Sequence, residues 1–142
     1  MNPSTSRDRL LVLVADDDDD MRAVVVDALR ADGCMTVEAR NGEEVLDVLR
    51  RAMVDPRLRP DVLLTDVKMP KLSGLGVLEA LRVARWRMPV VMMTALSDES
   101  IHTVAKRLGA VGLLRKPFGA GDMLQAIHSA KATADAGTTL AH

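Results

Sequence analysis

Short apolar runs alternate along the chain with longer segments whose apolar residues recur every three or four positions. The runs are Leu10–Val14, Met35–Ala39, Val62–Thr65, Val90–Met93 and Gly112–Leu114. Runs without alternation of apolar and polar residues predict strands buried on both faces. Met35–Ala39 is the weakest of them, because Thr36 and Glu38 interrupt it. Between the runs lie five helical stripes. Met21, Val24, Val25, Ala28 and Leu29 share the first, and Val45, Leu46, Val48, Leu49 and Met53 the second. Val77, Leu78, Leu81 and Ala84 form the third, Ile101, Val104, Ala105 and Leu108 the fourth, and Met123, Leu124 and Ile127 the last. Gly33 and Gly109 read as helix stops, Ser97-Asp98 as a helix start, and Asn41-Gly42 as a turn. Val54–Pro60, with two prolines, and Met69–Gly74 read as loops.

Five strands alternating with five helices predict a parallel sheet covered on both sides. Right-handed crossovers leave few topologies. The expected fold is α/β, a doubly wound, flavodoxin-like five-stranded sheet in the order 2-1-3-4-5. Residues 1–9 are expected to be a flexible leader, 10–131 a single domain, and 132–142 a flexible tail. In this order strands 1 and 3 are neighbours at the switch point, where ligands bind beyond the carboxyl ends of the strands.

Composition narrows the function classes. The 142 residues carry a net charge of −1, so no basic field draws the chain to nucleic acid or to an anionic membrane. Trp86 and Phe118 are the only aromatics, which leaves no stacking platform for bases. Cys34 is the single cysteine, excluding an intramolecular disulfide and fitting a reducing cytoplasm. No apolar stretch approaches a membrane span, and no secretory signal core is present. His102, His128 and His142 have no ligand spacing and read as surface residues.

Polar residues stand where the predicted strands end. Asp16 and Asp17 follow the first, Asp66 the third, Thr94 the fourth and Lys116 the fifth. Three carboxylates held together disfavour joint ionisation unless a cation joins them. Mg²⁺ prefers oxygen ligands and bridges carboxylates to phosphate while keeping several waters. Adjacent aspartates at a strand end cannot both point the same way, so one can ligate directly and the other through water. Asp66 can attack phosphorus as a nucleophile, with Lys116 neutralising charge and Thr94 donating to a phosphoryl oxygen. Asp18, Asp19 and Asp20 read as the solvated acidic start of a helix.

The stretch Leu11-Val12-Leu13-Val14-Ala15-Asp16-Asp17-Asp18, the block Asp66-Val67-Lys68-Met69-Pro70 with Gly74, the Thr94-Ala95 pair and Lys116-Pro117-Phe118 resemble the receiver domain of two-component response regulators. The resemblance spans roughly Leu10 to Lys131. It implies phosphorylation of Asp66 by a histidine kinase or phosphotransfer protein. It also implies Mg²⁺ held by Asp17, Asp66 and the Lys68 carbonyl, with Asp16 acting through water. Thr94 and Lys116 would hold the phosphoryl oxygens, the Lys116–Pro117 bond would be cis, and the surface of the fourth helix, fifth strand and fifth helix would change for a partner. Receivers usually carry Tyr or Phe where this chain has Leu113, so a swinging ring is unavailable at that switch position. Leu96, two residues beyond Thr94 and bulky, is expected to restrict water and prolong the acyl phosphate.

On this reading the chain is a cytoplasmic binding switch, not a turnover enzyme, without direct contact to nucleic acid or membrane. Its output would pass through a downstream protein, an attached output domain or a homodimer. Two alternatives stay open at this point. One is a haloacid-dehalogenase-like phosphatase, whose paired aspartates two residues apart would be Asp16 and Asp18. The other is a degenerate receiver serving only as a dimerisation module.

Overall fold

A computed structural model describes residues 9–95 and 99–140, with side chains of the final helix described to residue 136. The leader through Asp8, Leu96, the Ser97-Asp98 helix start and His142 lie outside the described residues. The elements are β1 (Leu11–Ala15), α1 (Asp19–Ala31), β2 (Met35–Ala39), α2 (Gly42–Val54), β3 (Val62–Asp66), α3 (Gly74–Val83), β4 (Val90–Thr94), α4 (Glu99–Arg107), β5 (Gly112–Arg115) and α5 (Ala120–Leu140). All strand pairs are parallel, in the order β2-β1-β3-β4-β5. The doubly wound sheet expected from the apolar runs is the observed one.

Successive strand residues point to opposite faces, and this period divides the core in two. On one face Leu13, Leu63, Val90 and Met92 pack with Val45 and Leu49 of α2, Val77, Leu78 and Leu81 of α3, and Ala105 of α4. On the other, Val12, Val14, Val62, Leu64, Val91 and Met93 meet Val25, Val26 and Leu29 of α1 and Met123, Ile127 and Ala130 of α5. The central strands are buried along nearly their whole length because helices cover both faces. Edge strands β2 and β5 are only partly covered, which explains the polar interruptions in β2.

Several local expectations change in three dimensions. The apolar runs stop one residue short of the ladder in β3 and β4, since Asp66 and Thr94 are still paired strand residues. Asn41-Gly42 is a helix entrance rather than a free turn. Asn41 is extended (φ −161°), and its side chain accepts from the Glu44 amide. The Val54–Pro60 loop contains a 3-10 turn at Pro56–Leu58, opened by proline and capped by Asp55. Arg9, assigned to the leader, is tied down by its Nε donating to the Gly33 carbonyl at 2.8 Å. Residues 132–140, read as tail, continue α5 to Leu140. Alanines there have the best intrinsic helix propensity, and a Lys131–Asp135 pair one turn apart supports them. Of the histidines, His128 faces Asp32 at 2.9 Å, while His102 is half-buried with no partner for its Nε2 among the described residues.

One side chain locks the lower end of the molecule. The Arg82 guanidinium of α3 donates to the carbonyls of Leu108 (2.7 Å), Trp86 (2.9 Å) and Gly109 (3.1 Å). It thereby satisfies the orphan carbonyls beyond α4 and opposes the negative end of that helix. Gly109 is required twice: it is left-handed (φ 93°), and a Cβ there would press on Arg82 Nε. Replacing Arg82 with Leu should lower the unfolding free energy by about 2–3 kcal/mol in urea titrations followed by circular dichroism. A loss within error of zero would mean that water replaces the guanidinium without cost.

Candidate functional site

Parallel pairing brings the carboxyl ends of β1, β3, β4 and β5 to one edge of the sheet. Asp16 leaves β1 fully buried, its amide donating to the Ala39 carbonyl at 3.1 Å. Its Oδ1 accepts from the Asp18 amide (3.0 Å) and its Oδ2 from the Lys116 ammonium (3.0 Å). The same ammonium donates to Asp66 Oδ2 at 3.1 Å. Lys116 thus spans residues at the ends of β1 and β3 from beyond β5. Carboxylate oxygens of Asp16, Asp17 and Asp66 lie within 4.8 Å of one another. Asp17 is exposed and Asp66 part-buried, so the cluster opens to solvent on one side.

Electrostatics follow from that geometry. Burial pushes the Asp66 carboxyl above its ordinary 3.8, outweighing the attraction of Lys116, and the charge on Asp16 adds to the rise. Burial opposes the Lys116 charge too, but the hydrogen bonds and charges of Asp16 and Asp66 prevail and raise it above 10.5. Lys116 therefore stays cationic at neutral pH. Three carboxylates facing one ammonium leave an excess of negative charge and a set of hard oxygen donors, which suits a small divalent cation.

The supporting contacts come from residues away from the strand ends. Arg22, nearly buried in α1, donates to the Asp16 carbonyl (2.7 Å), Asp19 (2.7 Å) and Glu38 (3.0 Å), pinning the turn that carries the acidic pair. Its i,i+3 spacing from Asp19 was the available signal. Gly74 lets the start of α3 approach the end of β3 so closely that a Cβ would strike the Asp66 carbonyl oxygen. The Gly74 amide donates to the Val67 carbonyl at 2.8 Å, closing the loop after Asp66. Asp18 caps α1, accepting from the Asp20 and Met21 amides, with Asp19 and Asp20 in the first turn, as a solvated helix start requires.

Thr94 is buried at the end of β4, and its carbonyl accepts from the Lys116 amide at 2.8 Å. Lys68 is exposed, and its amide faces Asp66 Oδ1 at 3.4 Å. The Lys116–Pro117 bond is cis. Leu113 lies on β5, two strands from the β3 that carries Asp66, half-buried, against a groove of about 270 Å³ shared with His102, Lys106 and Val111. No helix among the described residues is long and apolar enough to cross a membrane.

With Asp18 engaged as a cap, nothing favours the phosphatase spacing of Asp16 and Asp18, and nothing favours a module for dimerisation alone. The family model described as response regulator receiver domain matches residues 12–128. The DNA-binding transcriptional regulator NtrC of Escherichia coli is 38% identical over 110 residues, covering 78% of this chain and 22% of NtrC. The Escherichia coli transcriptional regulatory protein CpxR is 33% identical over 118 residues, 83% of this chain and 47% of CpxR. The chain thus spans less than half the length of these relatives. Among solved structures, the receiver domain of Francisella response regulator 1452 superposes with a TM-score of 0.80 at 26% identity, covering 88% of this chain and 98% of its own. Chemotaxis response regulator CheY4 of Vibrio cholerae superposes at 0.76 with 28% identity, covering 86% and 98%.

Two outcomes are expected of this site. Gly74→Ala should cost about 1–3 kcal/mol of stability, because backbone cannot yield as a flexible side chain can. The amide resonances of Asp66 and Val67 should shift with it, and unchanged spectra would show that the loop tolerates the added methyl. Because folding raises the Asp66 value, its contribution to stability is full below pH 3.8 and declines as pH rises through the folded value. Urea midpoints measured without divalent cation should show that decline, and Asp66→Asn should remove it.

Proposed function

The chain belongs to the response regulator receiver family of two-component systems, and from that premise we propose that Asp66 is its phosphoryl acceptor. The observation that carries the reading is the Lys116 ammonium within hydrogen-bond distance of both Asp66 and the buried Asp16. Phosphoryl transfer asks the protein mainly for positioning and charge neutralisation. An Asp66 oxygen attacks phosphorus of a phosphohistidine on a kinase or phosphotransfer protein. The new O–P bond forms as the P–N bond breaks, and the imidazole nitrogen leaves with the electron pair and takes up a proton. Lys116 is already cationic and stands beside the oxygen that must lose its own charge.

Asp17, Asp66 and the Lys68 carbonyl would hold Mg²⁺, with Asp16 acting through water, a reading supported by the meeting of the Asp16, Asp17 and Asp66 carboxylates; the ion would supply charge neutralisation at the phosphoryl oxygens. The Thr94 hydroxyl is assigned a hydrogen bond to a phosphoryl oxygen, supported by its position at the end of β4 beside Lys116. The product is an acyl phosphate that water slowly removes. The protein therefore acts as a switch, not a turnover enzyme. On this reading its setting is the cytoplasm.

The output passes through the surface of α4, β5 and α5, to a downstream protein, to an attached output domain or to a second copy. Thr94 and β5 are linked through the Lys116 amide, so a shift at Thr94 reaches β5 directly. At that strand Leu113, lining the groove beside α4, changes its packing where a ring would swing. Direct binding of nucleic acid or membrane is not part of this reading.

Incubation with acetyl phosphate and Mg²⁺ should add one phosphoryl group to the intact mass of wild type and none to Asp66→Ala. Lys116→Ala should be phosphorylated slower by a factor on the order of 10² or more. Equal labelling of the Asp66→Ala variant would remove the assignment. Amide spectra of the phosphorylated protein should shift across residues 99–115, and stationary resonances there would rule out output through this face.

A further inference from the structure

The opposite end of the sheet carries a second surface with no part in this chemistry. In a parallel α/β unit each helix runs back against its strand, so the last turns of α2 and α3 lie at the far end from the carboxylates. Between them, a cleft of about 130 Å³ has Leu49 and Leu81 at its buried base and Met53 and Trp86 on its walls. It opens into a hollow of about 390 Å³ bordered by Arg59, Arg85 and Arg87. Trp86, Met53 and Ala84 line both, making one continuous groove. Met53 is 69% exposed and Val83, on the same helix as Ala80 and Leu81, 81% exposed. No acidic side chain lines either part. Arg50 is paired with Asp47, and Arg59 lies 5.5 Å from the centre of the Trp86 ring. Arg85 and Arg87 have no acidic partner among the described residues. The chain as a whole bears −1, so this rim is a local reversal of its charge.

Arg85 is placed there against a backbone preference. It is the left-handed residue (φ 59°) that ends α3, with the Trp86 amide donating back to the Leu81 carbonyl at 2.9 Å. Gly33 and Gly109, beyond α1 and α4, hold the corresponding position without cost. An arginine there gives up stability and sets a cation on the rim.

We propose that this groove docks an acidic protein segment through an aliphatic side chain inserted between Met53 and Trp86, with carboxylates meeting Arg85 and Arg87. Trp, Met and Arg are the residue types that dominate protein interfaces, as anchors within an arginine rim. The small apolar cleft of about 130 Å³ suits a single branched side chain. A nucleic acid backbone has no such knob, and a bilayer surface is planar. The groove lies away from Asp66, so docking leaves the acidic site open to its phosphoryl donor.

Trp86 is the only tryptophan, so its fluorescence reports this groove alone. Titration with a synthetic helical peptide of glutamate and leucine should shift the emission saturably. The same peptide with lysine for glutamate should leave it unchanged. The double variant Arg85→Glu, Arg87→Glu should bind the acidic peptide roughly tenfold or more weakly while still accepting phosphate from acetyl phosphate. Arg85→Gly should raise the melting temperature and weaken peptide binding at once, a pairing that a merely structural role would not produce. The proposal is overturned if emission does not saturate, if the double variant binds as tightly as wild type, or if Arg85→Gly leaves affinity unchanged. It is equally overturned if duplex DNA or phosphatidylserine vesicles give the same emission shift at lower concentration than the peptide.

Discussion

A lysine between two carboxylates holds the chemistry of this molecule together. Lys116 reaches both Asp16 and Asp66 although it stands 100 residues along the chain from the first and 50 from the second. Only a sheet in which β1, β3, β4 and β5 end at the same edge can bring them within 3.1 Å. Each partner restrains the others. Asp16 is fully buried and would be an uncompensated charge without the ammonium, and the ammonium is itself shielded from water. The acidic edge is therefore assembled as a unit rather than as a set of independent side chains.

Close packing supplies the precision. Arg22 grips the turn carrying Asp16 and Asp17, and the α3 start presses on the Asp66 carbonyl where Gly74 leaves room. These contacts carry no charge change of their own in a phosphoryl transfer. They fix where the carboxylates stand, which matters because binding a small dication or an in-line phosphorus tolerates little displacement. The half-buried position of Asp66 has two consequences: it raises the cost of ionisation and leaves one side of the carboxylate accessible.

The two ends of the sheet are chemically opposite. Carboxylates crowd the end where the strands finish, and arginines with exposed apolar side chains crowd the end where they begin. Arg82 stands between these roles. It caps α4 from α3 and rigidifies the base on which Trp86 and Arg85 sit, so the basic rim is as well braced as the acidic one.

Much of this was readable along the chain. Five apolar runs separated by helical stripes left one economical topology, and the polar residues after the first, third, fourth and fifth runs pointed to one edge of the sheet. That works because a strand buried on both faces admits few polar residues, so an Asp, Thr or Lys at its end stands out. Where strands and helices stop was less legible: Asp66 and Thr94 remain in the ladder, and α5 continues through residues that composition alone read as tail. The contacts of Arg22 and Arg82, the space that Gly74 must leave, and the meeting of Met53 with Trp86 were not legible at all. Local pattern determines which elements form and which residue types terminate them. Which side chains then touch depends on how helices distant in sequence pack against one sheet, and no local pattern encodes that.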